Sequence, residues 1–216
     1  MADLVFPAPQ PVLIPVAGGG FFPVRRVYCV GRNYAAHADE IGGGLTDYPL
    51  FFLKPPSAIV EADSHGNNTV VLLVPSEHID HEVEMAIRLG DDLQPVSMCV
   101  AVDTTNRTRQ GLAKQKGWPW LEGKGFRGSA VMGTWTRYQS GPFEIGLSLN
   151  SKVCQCSSTS LMIHDIDSLL ATLNEWYDLS SGDIIFTGTP GLPQQISPGD
   201  VVEVEVTGVG ALSNGI

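Results

Sequence analysis

The chain has 216 residues, 43% hydrophobic and 17% charged, which suits one globular domain with an apolar core. Its formal charge of −10 argues against nucleic acid or an anionic membrane as partner, because both need clustered Lys and Arg. No run approaches the roughly 18 apolar residues of a membrane span. The opening MADLVFPAPQPVLIPV lacks a basic region and an unbroken apolar core, so it does not read as a signal peptide. Four cysteines, Cys29, Cys99, Cys154 and Cys156, are few for a disulfide scaffold of this length. The expectation is a cytoplasmic protein with reduced thiols, and a lone C-x-C makes a zinc site improbable.

Residues 1–25, rich in Pro and Gly, read as an extended lead-in to one domain over 26–216. Arg26 to Val30 suggests a short strand, and Asn33 to Ile41 one or two helical turns ended by Gly42-Gly43-Gly44. A short helix beside a triple glycine makes residues 33–44 a candidate lid. Leu50 to Lys54, Thr69 to Val74 and Glu82 to Leu89 read as strands. Met98 to Val102 runs as a buried-type strand into Asp103, and Thr104 or Thr105 can cap a helix through Lys116. Phe143 to Asn150 and Val153 to Cys156 suggest a hairpin around Asn150-Ser151. Ser160 can cap a helix from Leu161 to Leu179, and Asp183 to Thr187 and Val201 to Val206 are the last clear strands. Strands outnumber helices without regular alternation, which favours an α+β fold. Trp118 and Trp120 read as core residues, with apolar pocket wall as the alternative. The glycines of GKGFRG (123–128) match a dinucleotide fingerprint, but no convincing strand precedes them and no helix follows.

In DHEVEMAIRLG (80–90), Glu82 and Glu84 share one strand face while Val83, Met85 and Ile87 take the other. The same spacing in VVEVEV gives Glu203 and Glu205, which read as solvent-facing. Context separates the two pairs. Asp103 ends a buried-type strand, where a charge is costly unless paired or metal-bound. Three converging carboxylates repel one another and invite a divalent cation, and all-oxygen ligation suits Mg²⁺, Mn²⁺ or Ca²⁺. Three protein ligands would leave positions open for a substrate.

Six blocks appear in order: VYCVGRNYAAHADE (27–40), LFFLKPPSA (50–58), HEVEMAIRLG (81–90), DTTNRTRQ (103–110), KGWPWLEGKGF (116–126) and GDIIFTGTP (182–190). Together they resemble the fumarylacetoacetate hydrolase family, and the first block is similar to that of its bacterial fumarylpyruvate hydrolases and acylpyruvases. The resemblance implies a mixed β-roll catalytic domain, a homodimer, a Mg²⁺ or Mn²⁺ cofactor, and hydrolysis of a carbon–carbon bond in a small 2,4-dioxo acid. It implies Glu82, Glu84 and Asp103 as metal ligands, His37 and Glu40 as a catalytic pair, and Lys124 as a further catalytic residue. It places Arg107, Gln110 and Thr189 near the substrate. Oxaloacetate decarboxylation or keto–enol tautomerisation is the alternative on the same metal site. Arg107-Thr108-Arg109-Gln110, Asp80 and Cys154 to Ser158 depart from the family pattern beside the pocket rather than at the ligands, so they bear on substrate choice.

Overall fold

The computed structural model describes residues 5–8, 10–40, 47–63, 65–72, 74–191 and 193–216, without the side chains of Asp39 and Glu40. The Gly42-Gly43-Gly44 segment expected to hinge a lid lies outside the described residues.

Among the described residues, a mixed eight-stranded sheet carries the domain. Its backbone order is Leu50–Lys54, Val27–Gly31, Ile184–Phe186, Val83–Leu89, Pro95–Asp103, Ala130–Met132 and Ile59–Glu61, with Thr136–Arg137 also on Pro95–Asp103. A five-stranded sheet contains Lys152–Ser158, Glu144–Leu149, Val201–Val206, Gly210–Gly215 and Asn67–Thr69. Four α-helices accompany them among the described residues, and none is long and apolar enough to cross a membrane. This is the α+β, mixed-sheet architecture expected from the sequence.

Alternation sorts the central strands between two cores. Val83, Met85, Ile87, Met98, Val100 and Val102 pack toward the five-stranded sheet and Leu169, Leu170 and Leu173 of helix Ile166–Trp176. Ala86, Cys99, Ala101, Met132 and Phe186 point to the other face, where the hairpin Leu13–Pro15 and Phe21–Pro23 brings Ile14 and Phe22 against Trp135. The lead-in is therefore partly a packed cover. All four cysteines are free thiols, and only Cys156 is exposed.

Several boundaries move. Thr105–Asn106 pairs with Ile79–Asp80, which keeps both threonines extended. The cap of helix Arg107–Lys116 therefore falls to Asn106, whose Oδ1 accepts from Arg109 N–H at 3.0 Å. The later helix starts at Ile166, because Thr159–Leu161 form a separate 3-10 turn and the residues after it are held against the 31–34 loop: Ile163 N–H donates to Asn33 O. Asp165, not Ser160, is its cap, accepting from Ser168 N–H at 2.9 Å. The strand expected over Thr69 to Val74 is Asn67–Thr69, pairing parallel with Ser213, Asn214 and Gly215. The 143–156 hairpin holds, with Asn150 and Ser151 at φ 50° and 65° as a tight turn requires. Trp118 is exposed rather than core.

Candidate metal centre and active site

Register assembles the carboxylates. Val83 pairs with Val102 and Glu84 with Ala101, and Asp103 N–H donates to Glu82 O at 2.9 Å. Glu82 and Asp103 therefore face each other across neighbouring strands, and Glu84 lies two residues along the same face. All three are buried, and one carboxylate oxygen from each lies within 4.8 Å of the others. Glu203 and Glu205, with the same spacing, are exposed, as the sequence suggested.

The helix Leu121–Lys124 brings in a cation. It can sit close to helix Arg107–Lys116 because residue 123 is glycine: a Cβ there would lie 2.8 Å from Gln110 Cβ. Lys124 is buried, and its ammonium donates to Glu82 Oε2 and Asp103 Oδ2, both at 2.7 Å, and to Thr105 Oγ1 at 2.6 Å. Burial opposes its charge, but Asp103 and Glu82 outweigh it and raise its pKa. All three ammonium protons are engaged, so Lys124 presents charge rather than a spare proton.

Arg107 is committed in the same way. Its Nε donates to Asp80 Oδ2 at 2.7 Å, its Nη1 to Gln110 Oε1 at 3.0 Å, and its Nη2 to Glu82 Oε1. It grips the Glu82 carboxylate and orients Gln110, whose Nε2 is left to donate. Burial alone would push the Glu82 carboxyl up, but Lys124, Arg107 and then His37 hold it well below the usual range. His37 Nε2 is 3.8 Å from Glu82 Oε1. The Glu40 side chain lies outside the described residues.

Lys54 was not assigned to the site from sequence. Its buried Nζ lies 2.8 Å from Asp103 Oδ1 and donates to the backbone carbonyl of Lys124. Its only sequence signal is a lysine ending an apolar strand before two prolines. Trp120 takes the pocket-wall alternative rather than core: it lines the cavity beside Phe52, with ring centroids 6.1 Å apart.

Glu84 differs from its neighbours. Its Oε2 accepts from Gly188 N–H at 2.7 Å, and no cation pairs with it among the described residues. Burial first, then the charges of Asp103 and Glu82, push its carboxyl well above the usual range. The donor comes from a turn clamped by Asn33, whose Nδ2 bonds the carbonyls of Thr187 at 2.8 Å and His164 at 2.9 Å. Gly188 has φ +99°, and a Cβ there would lie 2.7 Å from Asn33 Cβ. Gly188→Ala is expected to cost about 2–4 kcal/mol of stability in denaturant unfolding, and to weaken metal binding as Glu84 loses its anchor. Wild-type stability in that variant would discount the clamp.

The donor set fits a divalent cation. Asp103 Oδ1 is buried with no aligned hydrogen-bond donor, and among the described residues no cation pairs directly with Glu84. Among the described residues, Lys54, Lys124 and Arg107 pair directly with Asp103, Glu82 and Asp80, and Glu84 is the carboxylate of the four without such a pair. A hard dication on these oxygens would reverse that imbalance.

His37, Glu82, Glu84, Arg107, Gln110, Lys124 and Thr189 share one cavity of about 20 Å³, roughly the space of one water. Arg32, Lys114, Leu50, Phe52 and Trp120 complete its wall.

A family model described as fumarylacetoacetate (FAA) hydrolase C-terminal matches residues 26–216. Among the most similar relatives, the mitochondrial oxaloacetate tautomerase oaa1 of Schizosaccharomyces pombe is 36% identical over 84% of this chain and 88% of its own. Oxaloacetate tautomerase YcgM of Escherichia coli is 31% identical over 87% of this chain and 90% of its own. Among solved structures, fumarylpyruvate hydrolase from Pseudomonas aeruginosa, in complex with Mn²⁺ and pyruvate, superposes with a TM-score of 0.92 at 29% identity, covering 99% of this chain and 98% of its own. With these matches running through the strands, turns and helices that assemble the carboxylate cluster, the chain belongs to the fumarylacetoacetate hydrolase family of enzymes.

Proposed function

We propose that this enzyme hydrolyses the C3–C4 bond of a 2,4-dioxo acid, with fumarylpyruvate as the first substrate to test. The observation that carries the reading is the shared cavity. It sets a histidine beside Glu82 and Glu84, with Asp103 within 4.8 Å of both, a fixed ammonium and space for about one water. Arg32 and Lys114 give the same wall a basic character that suits a second carboxylate on the substrate.

Mg²⁺ or Mn²⁺ held by Glu82, Glu84 and Asp103 would supply Lewis acidity toward the adjacent oxo and carboxylate oxygens. His37 takes a proton from the water whose oxygen bonds to C4. Glu40, three residues further along helix Ala35–Glu40, is assigned to orienting His37. As C3–C4 breaks, its electron pair passes to the departing pyruvate unit as an enolate. The Lys124 charge stabilises that oxyanion through the low-dielectric site. Proton return to C3 completes pyruvate, and C4 leaves as the carboxylic acid. Gln110 Nε2 and the Thr189 hydroxyl contact the substrate, while Arg107 acts by holding Glu82 and Gln110. A substrate of this size is admitted only as the cavity walls move.

His37→Ala is expected to lower kcat by about 10²–10⁴-fold and leave Mn²⁺ affinity nearly unchanged. Steady-state assays beside a metal titration check this, and unchanged turnover would remove His37 from the mechanism. The reaction itself is tested by following fumarylpyruvate absorbance with Mn²⁺ or excess chelator. Metal-dependent formation of fumarate and pyruvate is the expected result. Tautomerisation or decarboxylation of oxaloacetate is the second reading, the names of the two sequence relatives supporting tautomerisation. Intact fumarylpyruvate with metal-dependent turnover of oxaloacetate would select it.

A further inference from the structure

We infer that Gln155 is a positioning residue that fixes the Thr189 hydroxyl as a hydrogen-bond donor into the cavity, so that this wall selects an anionic oxygen on the substrate. The inference rests on the 2-oxo acid reading above and adds the residue that sets the wall's polarity.

Gln155 lies on strand Lys152–Ser158 of the five-stranded sheet and is buried between that sheet and the site. Its Oε1 accepts from Val83 N–H at 3.2 Å, between the two glutamates. Its Nε2 donates to the Gly191 carbonyl and to Thr189 Oγ1, the latter at 3.0 Å. A backbone N–H can only donate and a backbone carbonyl can only accept, so these two contacts fix which end of the amide is which. Both Nε2 hydrogens are then used, and Thr189 Oγ1 is the acceptor of one of them. The hydroxyl's own proton must go elsewhere.

Thr189 is 2% exposed and lines the cavity. Its hydroxyl makes no other hydrogen bond among the described residues. The proton is therefore available to whatever occupies the cavity. A carboxylate or oxo oxygen there gains a charge-assisted bond, while a donor group meets a proton. The residue comes from Cys154-Gln155-Cys156, whose alternation turns Gln155 inward and leaves Cys156 exposed.

The probe is oxalate, a small dianion with adjacent carboxylates that cannot undergo the proposed cleavage, titrated by calorimetry into the Mn²⁺-loaded protein. Thr189→Val keeps the shape and removes the donor, and it should weaken oxalate by about tenfold or more. Thr189→Ser should bind within about threefold of wild type. Gln155→Glu, assayed at a pH where the new carboxyl is ionised, has only acceptors at its tip, so it consumes the Thr189 proton and should also weaken oxalate. The decisive comparison is the double variant. If Gln155 acts through Thr189, Gln155→Glu costs at least about threefold less in the Thr189→Val background than in wild type. Equal costs in both backgrounds would overturn the inference and leave the proposed function standing. Wild-type protein that binds Mn²⁺ but not oxalate would sink both. Should Gln155→Glu not fold, wild-type oxalate affinity in Thr189→Val overturns the inference by itself.

Discussion

Lys124→Met is expected to lower turnover by about 10²–10³-fold while raising, rather than lowering, the affinity for Mn²⁺. The reason lies in what the ammonium touches. It neutralises Glu82 and Asp103, two of the three carboxylates that would hold the metal. Removing it makes the cluster more negative, which strengthens attraction for a dication. It also removes the fixed positive charge assigned to the developing oxyanion. In the metal-free protein the same change leaves buried carboxylates uncompensated, at about 3–5 kcal/mol of stability. Thermal unfolding with chelator and with Mn²⁺ should therefore show a larger metal stabilisation in the variant than in wild type. Full turnover, or Mn²⁺ affinity that falls together with activity, would remove this role from Lys124.

Local pattern carried much of the fold into the sequence. An apolar run stopped by two prolines marked Leu50–Lys54, period-two alternation marked Val201–Val206, and the Asn150-Ser151 turn marked its hairpin. Helix starts were less legible, because a cap depends on what the preceding residues do. Thr104 or Thr105 was the expected cap, but pairing of 105–106 with 79–80 passes the task to Asn106 and leaves the Thr105 hydroxyl to Lys124. The site divides similarly. Glu82 and Glu84 stand out by spacing, yet Glu203 and Glu205 share it, and only tertiary burial separates the pairs. That Asp103 meets Glu82 is a matter of strand register, which spacing does not encode. Gln155 carried no sequence signal for the same reason, and Lys54 only that of a lysine before two prolines, since each acts through contacts from distant strands. Trp118 and Trp120, two residues apart, looked alike as sequence and differ in exposure and surroundings.

Glu84→Gln and Glu82→Gln are expected to have opposite profiles, although both remove one carboxylate charge from the same cluster. Glutamine at 84 keeps an acceptor for Gly188 N–H and breaks no ion pair. The metal-free variant should be at least as stable as wild type at neutral pH, yet bind Mn²⁺ at least about a hundredfold more weakly. Glutamine at 82 breaks the pairs with Lys124 and Arg107 and should cost the metal-free protein about 3–5 kcal/mol. The pH dependences separate them further. The Glu84 carboxyl is raised in the fold, so the folded metal-free protein keeps a proton that the unfolded chain releases near pH 4.3. Its contribution to stability is present below that pH and is lost as pH rises toward the raised value. Glu82 is lowered, so its contribution is present above about pH 4.3 and is lost as pH falls toward its depressed value. Unfolding of the chelated variants across pH should show the first slope missing in Glu84→Gln and the second missing in Glu82→Gln. A cation on Glu84 must displace its proton, so Mn²⁺ affinity should weaken on acidification below the raised Glu84 value. Mn²⁺ affinity in Glu84→Gln equal to wild type would show that the cation sits elsewhere, and the two-strand assignment of the metal centre would fall with it.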